Sequence, residues 1–215
     1  MKLIKELTEI QHSMATQLPA DVLNIMSSSL SEMLSQKLDI NALTCGDTAP
    51  DFTLKSTNQS NVNLYELLKT KPVIISFFRG SWCPFCLKEL EHYQKNLVTE
   101  NKSILAHFLA ISPQKTEISS QLCQNNNISL TILSDQGNEI AKKYGLVFTL
   151  PNNIRPLYKN LGADLPDFNG DNNYQLPIPA TYIIDQNKKI IFSYINVNYM
   201  ERVDISELQN VLQNY

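Results

Sequence analysis

Cysteine is scarce in this sequence: Cys45, Cys83, Cys86 and Cys123 are four residues in a chain of 215. They are too few and too scattered for a disulfide scaffold, so a pair with a function is expected to be catalytic or metal-binding. A basic excess is missing as well. Eighteen Lys and Arg stand against twenty-one Asp and Glu, a formal charge of −3, too weak and of the wrong sign for a nucleic-acid surface. No apolar run approaches the roughly 18 to 20 residues that span a bilayer. Met1 to Ile10 mixes Lys2, Lys5, Glu6 and Glu9 among its apolar residues, unlike a secretory signal. Neither a nucleic-acid partner nor a membrane is expected, and the location expected is cytoplasmic. No internal repeat is visible.

What is present is enough apolar content for a core, 43% of residues, which excludes disorder for most of the chain. The length suits one domain with an appended segment. In residues 1–44, Leu3, Leu7, Ile10 and Met14, then Val22, Ile25, Met26, Leu30, Met33, Leu34 and Leu38, recur at helical spacing. They predict two amphipathic helices broken near Pro19. Two readings of this extension stay open: packing on the chain's own core, or an arm that forms a homodimer.

From Gly46 onward, short apolar segments alternate with helical ones, the pattern of an α/β domain over residues 45–215. Val73-Ile74-Ile75-Ser76-Phe77-Phe78 reads as a central strand covered on both faces. Further strands are expected at Ile104–Ile111, Ile128–Leu133, Thr181–Ile184 and Ile190–Ile195. Helices are expected at Cys83–Thr99, Lys115–Asn125, Gly137–Tyr144 and Ile205–Leu212. Residues Phe148 to Pro179, rich in Pro, Asn and Asp, are long for a plain connection and predict a functional or partly helical insertion.

Chemistry concentrates in Arg79-Gly80-Ser81-Trp82-Cys83-Pro84-Phe85-Cys86, which follows the central strand and opens a helix. Pro84 suits the first helical turn, which puts Cys83 at the helix N-terminus. Unpaired N–H groups and the positive end of the dipole there favour an anion, so Cys83 is expected to be largely thiolate. Cys86, about one turn further on, is placed to close a disulfide with an oxidised Cys83. A zinc site needs four ligands, and His12, His92, His107, Cys45 and Cys123 form no second cluster, so no metal or other cofactor is expected. His92 falls half a turn around the helix from Cys83. Structural roles are expected for the three histidines, and packing roles for Cys45 and Cys123.

These residues resemble the peroxiredoxin-like branch of the alkyl hydroperoxide reductase and thiol-specific antioxidant family over roughly Gly46 to Asn198. The resemblance rests on Gly46-Asp47-Thr48-Ala49-Pro50-Asp51-Phe52-Thr53-Leu54, Val73 to Cys86, Ala110-Ile111-Ser112-Pro113-Gln114, Leu133-Ser134-Asp135, Tyr144-Gly145-Leu146 and Pro179 to Asp185. It implies a thioredoxin-like fold, a central mixed sheet flanked by helices. It also implies a hydroperoxide substrate, Cys83 at the peroxidatic position, and a thioredoxin-like or other dithiol as reductant. Pro179, before Ala180 and Thr181, looks like the cis-proline that thioredoxin-like proteins hold opposite their cysteines, which makes Pro179 and Thr181 substrate-site candidates.

The sequence departs from the family at three positions. Ser76 replaces the usual Pro, Gly80 the usual Thr, and Ala180 falls where an Arg on a neighbouring strand is usual. Charge developing on the breaking O–O bond needs donors. Arg79 is expected to supply the missing cation, unless it is a solvated charge or a partner of Glu89 or Glu91. Ser81 offers a hydroxyl, and Trp82 is expected to cover the site. The leading functional expectation is a thiol peroxidase that cycles through a Cys83 sulfenic acid and a Cys83–Cys86 disulfide. A thiol-disulfide oxidoreductase, suggested by the Trp-Cys-x-x-Cys form, is the alternative. A non-enzymatic redox sensor acting on the N-terminal helices is a third reading.

Overall fold

The computed structural model describes residues 2–99 and 105–215. In chain order its elements begin with α1 (Lys2–Gln17), α2 (Ala20–Ser35), β1 (Thr53–Ser56), β2 (Asn61–Asn63), α3 (Leu64–Leu68), β3 (Val73–Phe77) and α4 (Pro84–Tyr93). A π-helical segment, Gln94–Thr99, prolongs α4. There follow β4 (His107–Ser112), α5 (Thr116–Asn126), β5 (Thr131–Ser134), α6 (Glu139–Lys143), β6 (Val147–Thr149), α7 (Arg155–Asn160) and α8 (Leu165–Asn169). The chain ends with β7 (Gln175–Pro177), β8 (Ala180–Ile184), β9 (Ile190–Ile195) and α9 (Ile205–Asn214).

Among the described residues a seven-stranded mixed sheet runs in the order β2-β1-β5-β4-β3-β8-β9. β3, β4 and β5 are parallel, and β8 and β9 continue the sheet antiparallel from β3. All five residues of β3 are buried, as its unbroken apolar run requires of a strand covered on both faces. The two-residue side-chain period then sorts them. Val73, Ile75 and Phe77 enter one core, whereas Ile74, followed by Phe78, enters the other beside Cys83, Phe85, Cys86 and Leu90 of the α4 region. This second core also takes Leu3 and Leu7, so α1 lies against α4 of its own chain.

The two N-terminal helices and the central strand form where the periodicity predicts them. Other boundaries move for local reasons. The strand predicted from Ile128 starts at Thr131, because Asn127 ends α5 in the left-handed conformation at φ 51° and Ser129 N–H bonds Gln94 Oε1 at 2.5 Å, leaving the ladder to begin later. The beginning of the strand predicted from Ile104 lies outside the described residues. β1, β2, β6 and β7 have three or four residues each, too short for a period-two signal to stand out. The long segment after Phe148 folds as α7 and α8, each with Pro in its first turn. Cys45, expected to pack, is exposed in the turn before β1, whereas Cys123 is half-buried against the second core.

Candidate active site

β3 delivers the chain directly to the cysteines. Phe78 N–H bonds Ile111 O at 2.9 Å, and a few residues later Cys83 N–H bonds Gly80 O at 3.1 Å. Cys83 caps the N-terminus of α4 with φ −93° and ψ 110°, and Pro84 takes the first helical position, where a missing N–H costs nothing. Cys83 O accepts the helix's first hydrogen bond, from Leu87 N–H at 3.0 Å. Gly80 has φ +153°, and a Cβ there would sit 2.5 Å from Trp82 Nε1. The indole therefore fills the space that a threonine side chain would need, which accounts for the departure at that position.

Both thiols are buried, Cys83 at 1% and Cys86 at 0% exposure. Burial opposes the Cys83 thiolate. The hydrogen bond from Cys86 and the charges of Arg79 and Arg202 outweigh it, and bring the Cys83 thiol down to about 6. Burial and the adjacent Cys83 push the Cys86 thiol up. The two sulfurs thus divide into one that favours the thiolate and one that keeps its proton, the asymmetry that a thiolate-driven reaction needs.

Arg79 is 1% exposed and ringed by aromatics. Its guanidinium carbon lies 4.1 Å from the Tyr199 ring centroid, 4.8 Å from Trp82 and 5.4 Å from Tyr158, all within cation–π range. Arg79 Nη2 also donates to the Tyr158 hydroxyl. The solvated role weighed for Arg79 does not hold, nor does pairing with Glu89 or Glu91: Glu89 binds Arg202 and Glu91 binds Lys88. Arg79 Nε and Trp82 Nε1 are buried donors without a hydrogen-bond partner among the described residues. A buried donor left unpaired costs about 1–3 kcal/mol.

The second cation comes from the far end of the chain. Arg202, in the loop between β9 and α9, places Nη2 3.3 Å from Cys86 Sγ and Nε 2.6 Å from Glu89 Oε2. Its Nη1 donates to the carbonyls of Tyr199 and Glu201 at 2.8 and 2.6 Å. The other Glu89 oxygen accepts from the Tyr93 hydroxyl at 3.0 Å, which meets Thr181 Oγ1 at 2.8 Å. Burial pushes the Glu89 carboxyl up and Arg202 works against it. Arg202, Tyr93, Tyr158 and Tyr199 carry no local sequence signal that marks them for the site, and Glu89 enters sequence reasoning only as a partner for Arg79. A Glu three residues after Cys86, on the same helix face, is the one local hint.

The remaining predicted residues are placed as follows. Trp82 lies beside Cys83 and packs edge-on to Tyr158 at 5.4 Å. Ser81 uses its backbone N–H, which bonds Gln114 Oε1 at 2.9 Å. Thr181 is buried beneath the site on Tyr93 and does not line the cavity that opens on Cys83; nor does Pro179. The cis-proline expectation is corrected: no peptide bond of the described residues is cis. Ile178 N–H bonds Leu146 O at 2.7 Å and Pro179 O accepts from Asn196 N–H at 3.2 Å. These bonds hold the entry to β8 in its course with the trans bond that X–Pro prefers. His92 and His107 serve packing, His92 Nε2 meeting Glu6 Oε2 at 2.9 Å and His107 Nε2 meeting Thr70 Oγ1 at 2.7 Å. His12 is exposed on α1.

Comparisons with known proteins bear on the family and the fold. The chain is 26% identical over 172 residues to the chloroplastic peroxiredoxin Q of Sedum lineare, covering 80% of this chain and 79% of that protein. Its fold is similar to a peroxidoxin BcpB from Mycobacterium tuberculosis, with a TM-score of 0.60 and 20% identity over 80% of this chain and 95% of that one. It is also similar to a peroxiredoxin-like protein from Aquifex aeolicus, with a TM-score of 0.63 and 16% identity over 80% and 88%. Those structures establish a thioredoxin-like, peroxiredoxin-type fold. With more than half of its length, residues 45–193, matching the model of the AhpC/TSA family, and with the cysteine pair at a helix N-terminus behind the central strand, the chain belongs to the AhpC/TSA family.

Proposed function

We propose that this chain is a thiol peroxidase in which Cys83 attacks the peroxide and Cys86 resolves the product. The observation that carries the assignment of roles is the split between the thiols: Cys83 caps α4 with its thiol lowered to about 6, and Cys86 beside it is raised. Family membership and the peroxiredoxin relatives support the reaction class.

The Cys83 thiolate displaces alkoxide or hydroxide from the peroxide O–O bond, taking the terminal OH as sulfenic acid, and the leaving oxygen picks up a proton. Arg79, which lines the same cavity as Cys83 and acts electrostatically on it, stabilises the charge that grows on those oxygens. Sulfenic acid formation removes the negative charge from Cys83, and with it the main electrostatic obstacle to ionising Cys86. The Arg202 guanidinium at 3.3 Å then favours the Cys86 thiolate. Cys86 attacks Cys83 sulfur, the disulfide forms, and the sulfenic oxygen leaves as water. An external dithiol, thioredoxin in our reading, reduces the disulfide and closes the cycle in a reducing compartment such as the cytoplasm.

The test is a coupled assay with thioredoxin, thioredoxin reductase and NADPH. Peroxide-dependent NADPH oxidation that disappears in Cys83→Ser is expected. Reduction of a protein disulfide with no peroxide-dependent turnover would overturn the peroxidase reading in favour of a thiol-disulfide oxidoreductase.

A further inference from the structure

The insertion expected between Phe148 and Pro179 sends one side chain into the active site. α7 carries Pro156 in its first turn, where a missing N–H suits a helix start. The backbone is tied on both sides of Tyr158: Tyr158 N–H bonds Ile154 O at 3.0 Å, and Tyr158 O accepts from Ala163 N–H at 2.8 Å. Arg155 anchors the same helix, its Nε donating to Leu150 O at 2.9 Å and its guanidinium lying over the Tyr174 ring. Tyr158 itself is 7% exposed. Its hydroxyl accepts from Arg79 Nη2, and its ring is one of those around that guanidinium.

We infer that Tyr158 is a positioning residue for Arg79, its hydroxyl fixing the direction in which the guanidinium faces the cavity that opens on Cys83. This inference rests on the peroxidase reading above, in which Arg79 meets the charge growing on the peroxide oxygens. A cation lowers that barrier most when it is in place before the charge develops, and an arginine side chain free to rotate would first have to be ordered. The faces of Trp82 and Tyr199 attract the guanidinium without dictating how it turns in its own plane. A hydrogen bond is directional, so the Tyr158 hydroxyl supplies what those rings lack. The neutrality of the acceptor matters equally. Glu89 and Glu91 are engaged by Arg202 and Lys88. A carboxylate in the place of Tyr158 would hold Arg79 just as firmly but would offset its charge, whereas a phenol orients the guanidinium and leaves that charge to act on Cys83. Part of the insertion thereby gains a function: α7 carries the group that aims a cation supplied by the loop after β3.

The experiment uses the full-length reduced protein as wild type, Tyr158→Phe, Arg79→Met and the double variant. Tyr158→Phe keeps the ring and its packing and removes the hydroxyl alone. Second-order rate constants of Cys83 are measured by mass spectrometry with two reagents, hydrogen peroxide and iodoacetamide, at about pH 8, above the Cys83 midpoint of about 6. Alkylation needs the thiolate alone, whereas the peroxide step also needs a cation aimed at the breaking O–O bond. In Tyr158→Phe the peroxide rate constant should fall about tenfold, less than the roughly hundredfold loss that follows removal of a transition-state donor itself, while alkylation stays within about twofold of the wild type. Adding Tyr158→Phe to Arg79→Met should lower the peroxide rate no further, as expected of a residue that acts through another. Should Arg79→Met not fold, the comparison of the two reagents decides alone. An unchanged peroxide rate in Tyr158→Phe, an equal fall with both reagents, or the same tenfold loss in the Arg79→Met background would overturn the positioning role and leave the peroxidase reading standing. Alkylation of wild-type Cys83 without any oxidation by peroxide would overturn the peroxidase reading and this inference with it.

Discussion

Arg202 holds Cys86 and Glu89 at once, its Nη2 3.3 Å from the Cys86 sulfur and its Nε 2.6 Å from the Glu89 carboxylate. One guanidinium thus serves the resolving thiol on one edge and satisfies a buried anion on another. Together with Arg79 it surrounds the cysteine pair with two buried cations, both of which act on both sulfurs.

Removing Arg202 separates the two chemical steps. In Arg202→Met, oxidation of Cys83 by peroxide should continue, and closure of the disulfide should slow by about an order of magnitude or more, since charge-assisted stabilisation of the Cys86 thiolate is lost. Sulfenic acid trapping by dimedone, followed by mass spectrometry, should show the Cys83 adduct persisting. Equal disulfide closure rates in variant and wild type would remove Arg202 from the mechanism.

The same substitution strands Glu89, which is fully buried. Breaking one side of a buried pair costs about 3–5 kcal/mol, whereas replacing both sides with apolar residues is often near neutral. Arg202→Met should lower the urea midpoint substantially, and Arg202→Met with Glu89→Leu should recover most of the loss. Stability and resolution are thereby separable: the double variant should refold well and still resolve slowly.

Cys83 should alkylate as a low-pKa thiol. Its iodoacetamide reactivity is expected to titrate with a midpoint near 6 in the wild type and to vanish in Cys83→Ser. The folded thiol lies below its ordinary value of 9.0, so the unfolded chain binds the extra proton between the two values. The stability this contributes is complete above about pH 9 and is lost as pH falls through about 6. A plot of unfolding free energy against pH should rise more steeply over that window in wild type than in Cys83→Ser.

Gly80 should tolerate no side chain without moving Trp82, since an added Cβ meets the indole at 2.5 Å. Gly80→Ala is expected to shift the Trp82 emission maximum and to lower the rate of Cys83 oxidation several-fold. Unchanged emission and rate would show that the indole gives way at no cost.

The arm is expected to depend on burial more than on charge. Leu7 is 3% exposed, and truncating such a side chain costs about 2–5 kcal/mol. The Glu6–His92 contact on a partly exposed carboxylate is worth about 0.2–1 kcal/mol. Leu7→Ala should therefore expose α1 to limited proteolysis, and Glu6→Gln should leave the digestion pattern close to that of the wild type.

Much of the fold and the centre of the site are legible in the sequence. The unbroken apolar run of β3, the break at Pro19, and Pro84 behind a helix-capping Cys83 are all features of a few neighbouring residues. The bond type at Pro179 is not legible there, because tertiary hydrogen bonds at Ile178 and Asn196 set the course of that segment. Nor is the role of Thr181, because the strand buries its hydroxyl on Tyr93 instead of offering it to a ligand.

The sequence alone settles that Cys83 and Cys86 share one helical turn at the end of a buried strand, because spacing along a helix is a local property of the chain. Only the tertiary structure decides which charges reach them. Arg202 lies 116 residues from Cys86 along the chain and Tyr158 lies 79 from Arg79. The antiparallel return through β8 and β9 brings the first pair together, and the segment between β6 and β7 brings the second. No local pattern encodes such contacts, since they depend on how separate elements stack around the sheet.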